Sequence, residues 1–297
     1  MPLSASEITD IYGWLVPTQS QNATYYHLHL LENKANRRAI LPILARYARD
    51  AHSDSVAEIR RITVGRLDTR QTSQRDQVLA AYPNACTDTT LKGYFGELMA
   101  GLVAEAFSPK GEAWHVPAFL FHTHDLLFQE LIRFVHVRDH VRQVVGHSGA
   151  DCLAFSTTGN TASITRVLIC EAKCSSTHRS DLIVDAFESL NSGTTESAQV
   201  SLVRIIDALH RRATPVARTW IGRLEHFKDS GSMTDQSRDD LLTYVYGTRP
   251  RTAGARRIAQ DAPNSAYTAR RRLTATELSL DADVTALVRD VYRMAFP

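Results

Sequence analysis

Lysine is scarce in this chain of 297 residues: Lys34, Lys92, Lys110, Lys173 and Lys228 stand against 29 arginines. Cysteine is scarce too. Cys86, Cys152, Cys170 and Cys174 are too few for a disulfide scaffold, and their spacings fit no zinc-finger pattern. No apolar run approaches the ~20 residues needed to cross a bilayer, so no membrane role is expected. The start, Met1-Pro2-Leu3-Ser4-Ala5-Ser6-Glu7, lacks the basic and apolar stretches of a secretion signal, which makes a cytoplasmic protein the expectation. Without such a signal, Asn22-Ala23-Thr24 reads as a chance glycosylation match. A Gly-x-x-x-x-Gly-Lys-Ser/Thr phosphate loop is also lacking, so the chain carries no nucleotide-driven motor of that kind. Net charge is only +2 and identifies no partner by itself.

What is present is an ordinary globular composition, 43% hydrophobic and 22% charged. That argues against global disorder and is enough to bury a core without staples. The charge is uneven: seven arginines face one acid, Asp261, between Arg249 and Arg272. Such a run is most often solvated surface; in a nucleic-acid enzyme it could also track a phosphate backbone. Six of the twelve histidines, His115, His122, His124, His136, His140 and His147, crowd one stretch. Their spacing fits no strong zinc pattern, and structural or surface roles are expected of them.

Periodicity predicts a strand over Thr24–Leu31 and a helix from Asn36 to Ala51, with Ile40, Ile43, Leu44 and Tyr47 on one face. Residues 66–76 are polar throughout and read as a linker. A helix is expected over Leu91–Phe107, capped by Asp88 or Thr89. It carries Leu98, Leu102 and Ala106 as a stripe, Phe95, Met99 and Val103 beside them, and Glu97 close to that apolar face. A strand near His115–Phe121 and a helix near Asp125–Phe134 come next. Gly146-His147-Ser148-Gly149 reads as a turn. The strand Ala150–Ser156, a hairpin turn over 157–161 and a long apolar strand Ser163–Cys174 follow. A polar loop then leads to a helix over Ser197–Arg212 with Val200, Val203, Ile206 and Leu209 as its inner stripe. Asp240–Tyr246 and Asp283–Met294 are further helix candidates. Two regions result: an N-terminal α+β region of unread role over 1–90, and a main domain over 91–297 that includes the basic segment 249–272 and a C-terminal helix.

The chemistry concentrates at Gly149-Ala150-Asp151 and Glu171-Ala172-Lys173. Strand side chains alternate with period two, so Glu171 and Lys173 share a face, following Val167 and Ile169 on it. Asp151 opens the adjoining strand. Two carboxylates and an ammonium can therefore converge at one end of a sheet. Burying them is costly unless they pair or bind a cation. A hard divalent cation with oxygen ligands resolves that cost and keeps waters for a phosphate ester and its nucleophile. The plainer alternative is a surface ion pair at a strand end, worth under about 1 kcal/mol. Cys170 and Cys174 lie on the opposite strand face and read as small core residues.

These residues resemble the signature of the PD-(D/E)xK nuclease superfamily, Asp151…Glu171-Ala172-Lys173, with Ala150 in place of the proline that names the motif. The resemblance covers roughly 92–225. It implies an α/β protein with a restriction-endonuclease-like core, a central mixed sheet flanked by helices in the order helix, three strands, helix, strand. Outside that stretch the sequence pattern itself predicts an N-terminal α+β extension and a helical C-terminal region. By resemblance Asp151, Glu171 and the helix residue Glu97 hold Mg2+ (Mn2+ able to substitute), Lys173 assists the attacking water, and Gln199 on a later helix supports the site. The implied activity is metal-dependent endonuclease cleavage or nicking of DNA. Gly96-Glu97-Leu98, the Gly-x-Asp strand and the apolar-x-Glu-x-Lys strand are similar, more narrowly, to the nuclease subunit of the Hachiman phage-defence system. That similarity implies antiviral defence beside a helicase or ATPase partner. The alternative on the same fold is a non-catalytic nucleic-acid-binding or assembly subunit with a degenerate site.

Overall fold

The computed structural model describes residues 3–21, 24–66, 82–84, 86–121, 150–158, 163–212, 214–247, 257–261, 266–281 and 283–297. Seven strands form one mixed sheet: β1 (Leu15–Gln21), β2 (Tyr26–Glu32), β3 (Trp114–His115), β4 (Cys152–Thr158), β5 (Ser163–Ser175), β6 (Arg238–Tyr246) and β7 (Arg272–Ser279). Their order across the sheet is β1-β2-β7-β6-β5-β4-β3. Pairing is antiparallel at the two ends, β1–β2 and β3–β4–β5, and parallel through the centre, β2–β7–β6–β5. Helices α1 (Ala5–Trp14), α2 (Arg37–Arg66), α3 (Asp88–Phe107) and α8 (Val284–Ala295) pack on one face. Helices α4 (Ser180–Ser192), α5 (Thr195–Arg212), α6 (Pro215–Asp229) and the short α7 (Arg257–Asp261) cover the other. The architecture is thus mixed α/β, three layers deep.

Strand β5 shows how the sequence builds this. Its alternate residues Leu168 and Cys170 join the core under α3, while Val167 and Ile169 join the core under α5 and α6. A strand covered on both faces must be apolar on both, which accounts for its nearly continuous hydrophobic middle. Helix α3 is likewise buried at Phe95, Leu98, Met99, Leu102, Val103 and Ala106, and Thr87, one residue before the expected caps, accepts from the Thr90 N–H at 3.3 Å.

Several sequence expectations need correction. Asp240–Tyr246 is no helix but most of central strand β6, buried at all nine positions. Its opening Arg238-Asp239-Asp240 obscures the strand pattern, because both arginines on Asp239 and the second arginine on Asp240 lie far away in sequence. Arg166 and Arg272 each make a two-pronged contact with Asp239, and Arg238 and Arg271 bind Asp240. Arg271 and Arg272, counted in the basic run, are therefore ion-paired to the sheet, Arg271 with its side chain buried and Arg272 with its side chain still exposed. The strand expected over 115–121 pairs only at Trp114–His115. On α5, Ile206 and Leu209 are buried as expected, but Val200 and Val203 are exposed, and Ala198, Leu202 and Ile205 complete the inner stripe. The polar stretch after β5 contains α4, and α2 runs on to Arg66. The expected helix near Asp125–Phe134, the turn at 146–149 and residues 67–76 of the linker lie outside the described residues. So do His122, His124, His136, His140 and His147.

Candidate active site

Asp151 stands immediately before β4 and is knitted to β5 by its own backbone, whose N–H donates to the Cys170 carbonyl at 3.1 Å. Its Oδ2 accepts from the Ala172 N–H at 2.7 Å. The carboxyl is therefore held against the stretch of β5 that carries Glu171 and Lys173. Those two project together, as period-two alternation requires, and Lys173 Nζ donates to Glu171 Oε1 at 2.6 Å. The other oxygen, Oε2, accepts from Ser189 Oγ of α4 at 2.8 Å. Glu171 is 7% exposed.

Glu97 approaches from the opposite face of the sheet. Gly96 makes this possible: a Cβ there would stand 3.2 Å from Cys174 Cβ and 3.7 Å from Ala172 Cβ. Without a side chain at 96, α3 lies close on β5 and brings Glu97 to the level of the Glu-x-Lys segment. Glu97 is 6% exposed, and its Oε2 is buried with no hydrogen-bond partner.

The electrostatics follow from three carboxyls sharing one lysine. Burial pushes Glu97 well above the usual carboxylate range, and the charges of Asp151 and Glu171 add to it while Lys173 opposes. Burial also raises Asp151, against the Ala172 N–H and Lys173, which favour its ionised form. Glu171 is raised by burial and then by Asp151, with Lys173 and Ser189 opposing. Burial pulls Lys173 down, but Glu171, Asp151 and Asp185 outweigh it, so the ammonium is held more firmly than in water. A cluster with this charge imbalance is relieved by protons or by a cation. The donor set is all oxygen, suited to Mg2+ or Mn2+, and the unpartnered Glu97 Oε2 leaves a lone pair for such an ion. Among the described residues, no three His, Cys, Asp or Glu side chains already converge as a ready-made cage. Mg2+ needs only one or two protein carboxylates and keeps several waters.

Beside Glu171 opens a cavity of about 180 Å3, walled by Ile169, Ser189, Gly193, Ser197 and Arg238. Gln199 does not join the others: it is exposed on α5, and the residues of that helix lining the cavity are Ser197 and Ala198. Ser189 and Asp185 are the residues that sequence reasoning missed. Their helix looked like a polar loop, yet Ile183, Ala186, Phe187 and Leu190, all buried, carry the three-to-four spacing that could have revealed it. Cys170 is buried beneath α3 and Cys174 packs partly buried against the same core, on the face away from the lysine.

The class that fold and site define is a mixed α/β protein with Glu171 and Lys173 on a strand, Asp151 at the start of its neighbour and Glu97 on the helix packed over them. The chain matches no protein-family model and no curated protein.

Proposed function

We propose that this protein is a Mg2+-dependent nuclease with a restriction-endonuclease-like core, which hydrolyses phosphodiester bonds in DNA. One observation carries the reading: Asp151, Glu171 and Lys173 meet on adjoining strands, with the buried, unpartnered Oε2 of Glu97 within their electrostatic reach. Chain order supports it. Helix α3, the antiparallel strands β3, β4 and β5, and β6 parallel to β5 follow the order helix, three strands, helix, strand, with three helices, α4, α5 and α6, standing between β5 and β6 in place of one.

In this reading Asp151 and Glu171 hold Mg2+, or Mn2+ in its place, and Glu97 adds a third carboxyl. The bound ion supplies Lewis acidity and a water of lowered pKa. Lys173 orients the attacking water and sets a positive charge against the phosphate as negative charge develops there. Gln199, exposed on α5, is left outside the proposed site. The proposed setting, taken from the narrower similarity to Hachiman nuclease subunits, is defence against phage beside a helicase or ATPase partner.

Plasmid cleavage tests this. Glu171→Gln and Lys173→Met should keep the wild-type circular dichroism spectrum and lose nicking by at least ~100-fold, the scale of removing a general acid–base group. EDTA should abolish wild-type cutting, and Mg2+ or Mn2+ should restore it. Wild-type-like cutting by either variant would sink the assignment. A wild-type protein that binds DNA but cuts under no metal condition, even with its partner present, would instead mark a non-catalytic subunit.

A further inference from the structure

We propose that Ser189 is a positioning residue, whose hydroxyl holds the Glu171 carboxylate in place for cation binding and keeps it from turning into the neighbouring cavity. The inference rests on the nuclease reading above.

Each oxygen of Glu171 has one side-chain donor. Lys173 Nζ, on Oε1, hangs from a flexible four-carbon stem. Ser189 Oγ, on Oε2, has a single rotor and stands on a helix fixed at its far end. Helix α4 buries Ile183, Ala186, Phe187 and Leu190. At its C-terminus Arg271 Nη2 donates to the Leu190 carbonyl at 2.6 Å, and Arg238 Nη1 donates to the Gly193 carbonyl at 2.8 Å. Both arginines also bind Asp240, through their Nε atoms at 3.0 and 2.8 Å, and Tyr267 Oη donates to the same carboxylate at 2.7 Å. Cations at a helix C-terminus oppose its negative end. A buried aspartate with two arginines is a costly arrangement unless fully paired; here the pairing also clamps the last turn of α4, the turn that carries Ser189.

The cavity explains why such a clamp matters. At about 180 Å3 and lined by Glu171 itself, it has room for several waters at roughly 30 Å3 each. Without the Ser189 hydroxyl, Oε2 has both the space to rotate and water to receive it. With the hydroxyl, the carboxylate stays beside Asp151.

Ser189 is exposed on α4, so Ser189→Ala leaves the core intact. Titration calorimetry of the full chain with Mn2+ alone should show the alanine variant binding roughly 10–100-fold more weakly, the usual cost of losing a partner behind a metal ligand. Its melting temperature should be unchanged, and Ser189→Thr should restore the affinity. A metal-free crystal structure of Ser189→Ala should show Glu171 turned into the cavity. An alanine variant that binds Mn2+ within twofold of wild type overturns the inference, as does a Glu171 that has not moved. If the wild-type chain takes up no Mn2+, the nuclease reading fails. The alanine crystal structure then decides positioning by itself: a displaced Glu171 supports it, and an unmoved one overturns it.

Discussion

Glu105 lies two turns beyond Glu97 on α3, and between them they show how one helix face sets the charge of its acids. Its Oε1 accepts from the Val116 N–H and its Oε2 from Tyr47 Oη, each at 3.0 Å. Burial outweighs both contacts and lifts the carboxyl to about 7. An unfolded glutamate titrates near 4.3. The folded state therefore keeps a proton that the unfolded state has lost across the window between those values. The resulting stability is complete below about pH 4 and disappears as pH rises through about 7. Its size is on the order of 3 kcal/mol. Urea unfolding at pH 5 and pH 8 should show this fall, and Glu105→Gln should flatten it. A slope unchanged by that substitution would assign the effect to another group. Asp151 and Glu171 were legible in sequence because strand alternation and strand pairing across a turn are local. Glu105 was not, because its shift comes from burial between α3, α2 and the segment after β3, which no spacing encodes.

At the scale of the element, α3 divides its glycines by what stands opposite them. Gly93 is exposed, and a Cβ there meets nothing within 4 Å. Gly93→Ala should stabilise by about 0.5–1 kcal/mol through helix propensity alone. Gly101 faces the ring of Phe119, and a Cβ would come to 2.4 Å from Cζ and 3.1 Å from Tyr47 Oη. Phe119 is itself fixed, stacked on Phe121 and edge-on to Tyr47. Overpacking of that kind costs about 1–3 kcal/mol, so Gly101→Ala should lower stability despite the gain in propensity. Equilibrium urea melts of the two variants should move in opposite directions. Elements whose apolar residues repeat without interruption, such as α3 and β5, were readable. Helix α4 and strand β6 were not: charged residues sit within their apolar patterns, and Asp239 of β6 finds its arginines only at positions 166 and 272.

Across the whole molecule, the described residues up to 66 share the sheet and core of the rest. β2 pairs in parallel with β7, and Glu32 at its end accepts from Trp14 Nε1, Arg37 and the Asp281 N–H. On the α2 side, His52 is buried with one ring nitrogen against Tyr82 Oη and the other against Tyr292 Oη of α8. Contacts of this span predict one cooperative transition. The three tryptophans allow a direct check, because Trp14 lies in α1, Trp114 in β3 and Trp220 in α6. Single-tryptophan variants retaining Trp14 or Trp114 should report the same urea midpoint. Midpoints separated by more than the fitting error would make the N-terminal region an independent unit. Among the described residues no helix is long and apolar enough to cross a membrane.

The amino-acid order alone determined that Glu171 and Lys173 share a strand face and that Asp151 opens the neighbouring strand. Those relations need only the two-residue period and a turn between paired strands. Tertiary structure alone decided that β6 and β7 are central strands, that Glu97 reaches the cluster over Gly96, and that Ser189 rather than Gln199 touches Glu171. Each of these depends on parallel pairings or helix-to-sheet approach between segments tens of residues apart. There the free energy lies in desolvation and in the pairing of distant charges, neither of which leaves a local pattern.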